Sequence, residues 1–317
     1  MLNKYDSAVK LYLGNCKQNC LSEDSIRTYA TTFKLYREFL AENQYDEPNI
    51  STTLEWKMSL EDVSICTMDQ YLSHLIRLSK FCVTYGIYDT DFATEYLKPP
   101  TKKVKMVREK EYKHILSVEQ ISMLTSAKNV NYGRKSRTFI RDKAIVTLML
   151  LSGPRNIEVR NLTPDDLNWN DKCIELRVTK GGKPRVIPFG MVSQKAVREY
   201  LNSGLRPATI PSDAPLFGTL GDSGEWHGLG REQLSKVVYH YTKSILGDDD
   251  AARSHAMRHG FASAGIEVGV SVDDLQSVLG HRSTETTLIY AKRLTKNAPS
   301  VNVSNKLESV LASKNVS

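Results

Sequence analysis

Five short segments between residues 153 and 290 carry side chains that together could transfer a phosphoryl group. They read Gly-Pro-Arg-Asn-Ile-Glu at 153–158, Thr-Lys-Gly-Gly-Lys-Pro-Arg at 179–185, His-Ala-Met-Arg-His at 255–259, Leu-Gly-His at 279–281 and Thr-Thr-Leu-Ile-Tyr at 286–290. Arginine offers two phosphate oxygens a planar, permanently charged fork, and two arginines can hold the extra charge of a pentavalent phosphorus. A tyrosine that loses its proton can form a covalent phosphotyrosine, and lysine or histidine can exchange protons. These residue types predict phosphoryl transfer without a metal ion.

The spacing of these side chains favours their convergence. His255 and Arg258 are three residues apart at the start of a predicted helix, so they share one face near its positive end. His281 follows Gly280, which is a helix-stop residue, at a boundary where a side chain can face a cleft. Tyr290 comes about two and a half helical turns later if the helix is continuous.

In order, composition and separation, the five segments resemble the tyrosine recombinase (integrase) family. The family pattern G-x-R-x-x-E is matched by Arg155 with Glu158, and a hairpin lysine in a G-K-G-x-K-x-R context is matched by Lys180 with Arg185. The remaining patterns are H-x-x-R-H, L-G-H and T-T-x-x-Y, matched at 255–259, 279–281 and 286–290. The resemblance covers residues 114–295 closely and the N-terminal third in plan only.

The resemblance implies a mechanism and a role for each matched residue. Tyr290 would attack a DNA phosphodiester, leaving a 3′-phosphotyrosine and a free 5′ hydroxyl, and a partner strand would then reverse the step. Arg155, Arg258 and His281 would stabilise the phosphorane. Lys180 would protonate the 5′ oxygen, and His255 would assist proton transfer at the tyrosine. Glu158 and His259 would support these side chains. The expected partner is double-stranded DNA with a specific recombination site, bound by four protomers on two sites, with accessory proteins possible and no cofactor.

Some residues depart from the family pattern, and some allow another interpretation. Thr179 precedes Lys180 where glycine is usual, Pro184 and Pro154 stand where a charged residue and a leucine are common, and Lys183 is close enough to replace Lys180. The His255/His259 pair could suggest zinc, but Ala256 stands where a zinc protease carries its glutamate. Two other functions fit the same chemistry or fold: a type IB topoisomerase-like relaxase and a non-catalytic DNA-binding factor.

Composition is compatible with DNA binding and argues against a membrane span. The chain has 317 residues, enough for two domains, and a formal charge of +7. Residues 1–97 carry 9 Lys/Arg against 14 Asp/Glu, residues 98–113 carry 7 against 2, and residues 114–317 carry 27 against 20. The positive charge therefore lies in the middle and C-terminal parts. No apolar run is long enough to cross a membrane, and a cytoplasmic location is expected. Five scattered cysteines favour reduced thiols over a metal site at Cys16 and Cys20.

Periodicity predicts a mainly α fold with a small β-sheet (α+β). Apolar stripes predict helices over 25–40 and 68–81, so residues 1–97 are expected to form a helical, DNA-binding bundle resembling the family's core-binding domain. The catalytic domain is expected over 114–317. Its elements are helices near 117–124, 138–152, 192–202, 231–246, 254–268, 271–279 and 283–290, and a glycine-turn hairpin over 172–189; residues 204–230 should be irregular.

Two further segments each leave two interpretations open. Residues 98–113, with Pro99, Pro100 and the DNA-binding candidates Lys102, Lys103 and Lys105, predict a stiff, extended linker that is either a solvated spacer or a strap along phosphates. Near the C-terminus, the apolar residues 307, 310 and 311 predict one face of a short helix. That helix would dock on its own domain or, as in the family, on a neighbouring protomer.

Overall fold

The computed structural model describes residues 2–111, 116–128, 137–177, 184–247 and 254–280. The chain divides into two compact units, residues 1–113 and 114–317, each with a hydrophobic core of its own. Helices dominate both, and the strands are short and antiparallel. The predicted class, mainly α with a small sheet, is confirmed.

The first unit is built from helices around an aromatic core. They are α1 (Asn3–Gln18), α2 (Glu23–Glu42), α3 (Ile50–Ser59), α4 (Ile65–Thr84), a 3-10 helix (Glu95–Leu97) and α5 (Thr101–Glu111). The stripes predicted over 25–40 and 68–81 are α2 and α4, and each begins at a serine, Ser22 or Ser64, whose side chain accepts a backbone N–H three residues on. Tyr5, Phe33 and Tyr36 are almost completely buried between the helices.

The segment 101–111 is helical, so the extended conformation predicted for this part of residues 98–113 is wrong. The two prolines precede the helix, where a missing N–H costs nothing, and the Pro100 carbonyl accepts from the N–H groups of Lys103 and Val104. Lysine, methionine, arginine and glutamate are good helix formers. Val104 is buried, and α5 packs against α4 within the first unit. Lys102 and Lys103 are exposed; the side chain of Lys105 lies outside the described part.

The second unit contains seven described α-helices and a three-stranded sheet. The helices are α6 (Val118–Ser126), α7 (Phe139–Ser152), α8 (Asn156–Asn161), α9 (Met191–Asn202), α10 (Arg231–Leu246), α11 (Ser254–Glu267) and α12 (Val272–Leu279). A capping box begins α6, where the side chains of Ser117 and Gln120 each accept the other residue's backbone N–H. The apolar helix α7 lies at the centre of the core and ends, as predicted, at Gly153, which is left-handed with φ +66°.

The strands β2 (Cys173–Leu176) and β3 (Arg185–Pro188) form the predicted hairpin, and β1 (Leu167–Asn168) adds a strand beside β2. Leu176 pairs with Arg185, so Arg185 begins the return strand; residues 178–183, with Lys180 and Lys183, lie outside the described residues. The region 204–230 is not wholly irregular, because β4 (Gly218–Leu220) and β5 (Trp226–Gly228) form a second hairpin.

Candidate active site

Arg155 lies in the short turn between the end of α7 and the start of α8. Gly153 turns the chain at the end of α7, and Arg155 precedes the first residue of α8 in an extended conformation. Its backbone N–H donates to Glu158 Oε2 at 2.6 Å, as a glutamate in the first turn of a helix often accepts. Its guanidinium donates from Nη1 to Glu158 Oε1 at 3.0 Å and from Nη2 to the Gly280 carbonyl at 2.9 Å.

Glu158 is a buried carboxylate shared by two arginines. Its side chain has no exposed area. Arg185, from β3, donates Nη1 to Oε1 at 2.6 Å and Nη2 to Oε2 at 2.7 Å. Burial alone would raise the pKa of this carboxyl, but the hydrogen bonds from Arg185 and the Arg155 backbone, with the positive charge of Arg185, hold the pKa below its usual range. Glu158 is therefore ionised at neutral pH and fixes both guanidinium groups.

Arg258 reaches the same region from α11. It is only 8% exposed. Its Nη1 donates to the Gly153 carbonyl at 2.6 Å, and its Nη2 donates to the Leu279 carbonyl. These bonds connect α11 to the ends of α7 and α12. Because both acceptors are backbone carbonyls, they fix the orientation of the guanidinium group.

The C-terminal end of α12 is where the arginines meet. The carbonyls of Val278, Leu279 and Gly280 accept hydrogen bonds from three different guanidinium groups, those of Arg185, Arg258 and Arg155. The last carbonyls of a helix have no partner within the helix and carry partial negative charge, so cations stabilise this end. The structure thus brings Arg155 and Arg258, which are far apart in sequence, to Gly280 and Leu279, the two residues that precede His281.

The other predicted site residues are only partly described. Residue 255 belongs to α11 together with Arg258, as the spacing predicts, but its side chain lies outside the described residues. His259 is half-buried on α11. Lys180, His281, Tyr290, the helix predicted over 283–290 and the tail also fall outside them.

Sequence reasoning missed the role of Arg185. The pattern G-K-G-x-K-x-R drew attention to it, yet no spacing argument shows that its side chain reaches Glu158 and α12, because these contacts join residues 27 and 93 positions apart. The described cluster contains three guanidinium groups and one carboxylate, and this surplus of positive charge suits a phosphate.

A cavity of about 150 Å³ beside Glu158 has a different character. Asp165, Asp166 and Asp213 line it together with Glu158 and Arg177. Four carboxylates against one arginine would repel a phosphate, so the arginine cluster, rather than this cavity, is the candidate site for a phosphodiester.

The described residues offer neither a metal site nor a membrane span. Among them, no group of three or more histidine, cysteine, aspartate or glutamate residues could hold a metal ion. None of their helices is both long and apolar enough to span a bilayer. All five cysteines are described, and all are free thiols.

Comparison with known proteins places these features in a wider context. The model of the phage integrase family matches residues 107–297. The chain is 33% identical over 215 residues to the tyrosine recombinase XerD of Corynebacterium glutamicum and 31% identical over 182 residues to that of Bifidobacterium longum. The matches cover 67% and 56% of this chain, but only 66% and 57% of these relatives.

Solved structures show the same fold. One is the XerH site-specific recombinase bound to a palindromic difH substrate in a post-cleavage complex, with a TM-score of 0.65, 20% identity and coverage of 86% of this chain and 79% of that one. Another is a lambda integrase fragment (residues 75–356) crystallised as a dimer on a COC′ core site, with a TM-score of 0.64, 15% identity and coverage of 90% and 94%.

Proposed function

The chain belongs to the phage integrase family, and we propose that it is a site-specific DNA recombinase that cuts and rejoins strands through a 3′-phosphotyrosine intermediate on Tyr290. One observation carries the proposal: Arg155 and Arg258 converge on the last carbonyls of α12, immediately before His281 in the chain. Two arginines held at one point suit a phosphate whose charge increases during reaction.

The two arginines act as a prearranged charge. Arg155 is held by Glu158 and the Gly280 carbonyl, and its side chain is 23% exposed, so part of the guanidinium faces solvent. Arg258 is held by the carbonyls of Gly153 and Leu279. Because these partners fix the arginines before DNA arrives, little reorganisation is needed when the phosphorane forms.

The remaining roles follow the family pattern. The Tyr290 phenol oxygen attacks phosphorus as its proton leaves with the help of His255, and the bond to the 5′ oxygen breaks. Lys180 delivers a proton to that oxygen, and His281 adds a hydrogen bond to the phosphorane. The 5′ hydroxyl of a partner strand then attacks the phosphotyrosine, which restores the tyrosine. The energy of the phosphodiester is kept in the protein–DNA bond, so rejoining needs no nucleotide hydrolysis. In this proposal side chains, and not a metal ion, stabilise the charge of the phosphorane.

The proposed substrate is double-stranded DNA containing a recombination site, bound by four protomers on two sites. The XerH and lambda integrase neighbours were solved with DNA sites, which supports a DNA partner here. We assign DNA binding to the bundle of residues 1–97 and to the lysines at 102, 103 and 105, and catalysis to residues 114–317.

A library of nicked duplexes with a randomised central sequence tests the function and identifies the target sequence at the same time. A nick just to the 3′ side of the cut lets the short fragment that carries the free 5′ hydroxyl diffuse away, so a cleaving enzyme remains attached to its DNA. The full chain is incubated with the library in EDTA, because the arginines are expected to supply the charge that a metal would otherwise provide. Adducts that survive SDS are recovered and sequenced, and a shared sequence motif is expected.

Tyr290→Phe should abolish the adduct while leaving DNA binding intact, because only the nucleophilic oxygen is removed. The matched control is Tyr96→Phe, which alters a tyrosine that is 97% exposed in the first unit. An adduct from the Tyr290 variant, or none from the wild type unless magnesium or zinc is added, would contradict the proposed chemistry. Strand exchange between two plasmids carrying the recovered site then separates recombination from simple relaxation.

A further inference from the structure

Arg185 joins three parts of the second unit through one side chain. It begins β3, directly after the hairpin segment that contains Lys180. Its two terminal nitrogens donate to both oxygens of Glu158, and its Nε donates to the Val278 carbonyl at 2.9 Å. Only 12% of the side chain is exposed. All three guanidinium nitrogens thus donate within the protein: the two terminal ones form a bidentate ion pair with Glu158, and Nε bonds a carbonyl at the end of α12.

The same side chain packs against the glycine that ends α12. Gly280 is left-handed, with φ +61°, and a Cβ built there would lie 3.0 Å from Arg185 Cδ. The end of α12 therefore rests on Arg185 through its aliphatic stem as well as through the Val278 carbonyl. A shift of β3 would move both Glu158 and this helix end.

We propose that Arg185 is a positioning residue for strand cleavage, which holds β3, Arg155 and the C-terminal end of α12 in one fixed arrangement. The link to Arg155 runs through Glu158, which accepts from both guanidinium groups. The link to the end of α12 runs through Val278 and Gly280. This inference rests on the proposed function, and it assigns Arg185 no contact with the DNA phosphate.

The first test compares Arg185→Lys with the wild-type full chain on a nicked duplex of the recovered sequence. Lysine keeps the charge but loses the planar fork. A displacement of reacting groups of about 1 Å costs roughly 100-fold in rate. We therefore expect the single-turnover rate of adduct formation at saturating protein to fall roughly 100-fold, with little change in the dissociation constant for DNA. A wild-type rate would overturn the proposal.

The control is Arg206→Lys in the same unit. Arg206 is 8% exposed, and its guanidinium donates to the carbonyls of Ile210, Pro211, Ala214 and Pro215, none of which contacts the arginine cluster in the hydrogen bonds described above. This variant should lower thermal stability but leave the cleavage rate of the folded protein unchanged. If it slows cleavage as much as Arg185→Lys, the Arg185 effect is one of general stability and the positioning role fails.

A neutral substrate separates positioning from direct contact. Replacing one non-bridging oxygen of the scissile phosphate with methyl removes its charge, so a variant lacking an arginine that binds this oxygen should recover part of its rate. We expect such recovery for Arg155→Ala and Arg258→Ala but not for Arg185→Lys. Recovery by the Arg185 variant would show that Arg185 binds the phosphate itself and would overturn its assignment as a positioning residue.

A double variant covers the case in which the single variant is unstable. Changing both Arg185 and Glu158 to glutamine removes both charges of this pair, and neutral replacement of a buried pair is better tolerated than loss of one partner. Because Arg155 then also loses its carboxylate, Arg185→Gln and Glu158→Gln are each measured alone as the two single variants. If Arg185 acts through Glu158, the double variant should cleave no more slowly than the slower single variant. A double variant with wild-type rate, or with fully additive losses, would contradict the proposal. If the wild type forms no adduct at all, the proposed function fails instead.

Discussion

At the residue scale, two buried titratable groups have pKa values below their usual range, and they take up protons in different pH ranges. The Glu158 carboxyl has a pKa below its usual range, so the arginine cluster keeps its central anion in mildly acidic solution. His74 lies in the first unit between α4 and α2, where its ring bonds the Thr32 hydroxyl at 2.7 Å. Burial, with a contribution from the charge of Arg77, lowers the pKa of His74 to about 4. Acid should therefore weaken the first unit through His74.

We predict that the first unit loses stability as pH falls from about 6.5 towards 4. The pKa of His74 is lower in the folded state than in the unfolded state, so protons favour unfolding throughout this window. The loss should be about 2 kcal/mol at pH 4.5 relative to pH 7.5. Urea unfolding is followed by Trp56 fluorescence after Trp169→Phe and Trp226→Phe, since Trp56 is then the remaining tryptophan. His74→Gln is the control, and an equal pH dependence in that variant would refute the assignment.

At the element scale, glycines with positive φ end three helices of the second unit, but their surroundings differ. Gly247 after α10 has no atom of the described residues within 4 Å of a built Cβ. Gly280 after α12 would place a Cβ 3.0 Å from Arg185 Cδ, and Gly153 after α7 would place one 2.6 Å from the Phe261 ring. All three share the cost of a left-handed non-glycine residue, and only the last two add a steric cost.

Alanine at each of the three positions should therefore destabilise the unit in a fixed order. Gly247→Ala should cost about 1 kcal/mol from backbone strain alone. Gly280→Ala should cost somewhat more and also slow cleavage, because it displaces Arg185. Gly153→Ala should cost most, about 3 kcal/mol, because strain and overpacking add. Chemical denaturation of the three variants gives the order; equal losses would mean that the neighbouring side chains yield without cost.

The elements also show what the sequence could and could not predict. Ser117 with Gln120, Gly153 and Ser271 mark helix ends by local chemistry, and those ends were predictable. The hairpin β4–β5 was not, because its strands have three residues each, with glycine at one end and no alternation. The helix α5 was not predicted either, because two prolines before a run of lysines are typical of an extended linker, whereas proline also begins helices. The hydrogen bonds of Arg185 to Glu158 and to the end of α12 could not be predicted, because they join residues that only the tertiary structure brings together.

At the scale of the whole molecule, the exposed lysines of α5, which lie outside the arginine cluster, are candidates for binding DNA phosphates. Lys102 and Lys103 are exposed on this helix, while Val104 faces the core of the first unit. Changing Lys102, Lys103 and Lys105 to glutamine should weaken DNA binding without changing sequence preference, because phosphate contacts carry no base information. The slope of log K against log salt should become shallower by up to ~0.9 for each phosphate that is no longer neutralised.

Salt titration of binding to the recovered duplex and to a scrambled one gives both quantities. The matched control neutralises Lys10, Lys17 and Lys57, which removes the same charge from α1 and α3. If both triple variants change the slope equally, the effect is one of net charge. An unchanged slope in the α5 variant would favour the solvated-spacer interpretation.

The C-terminal tail belongs to this scale because its predicted function is assembly. Residues 300–317 lie outside the described part of the chain, so the prediction rests on sequence. The apolar residues Leu307, Val310 and Leu311 would share one face of a helix that is too short to be stable alone and needs a surface to cover it. Pro299 and its polar neighbours give the reach to dock on the same unit or on a neighbouring protomer.

Removal of residues 300–317 distinguishes these two docking modes. If the tail docks on a neighbouring protomer, the truncated chain should bind one site and cleave the nicked duplex normally, because neither step needs a second protomer. It should fail to assemble two-site complexes and to exchange strands. Gel shifts with one-site and two-site DNA, together with plasmid recombination, measure both steps. A variant with Leu307, Val310 and Leu311 changed to serine keeps the length of the tail, so it shows whether the loss of the apolar face alone causes the defect. Normal two-site assembly by the truncated chain would rule out docking between protomers, and weaker binding to a single site would indicate that the tail stabilises its own unit.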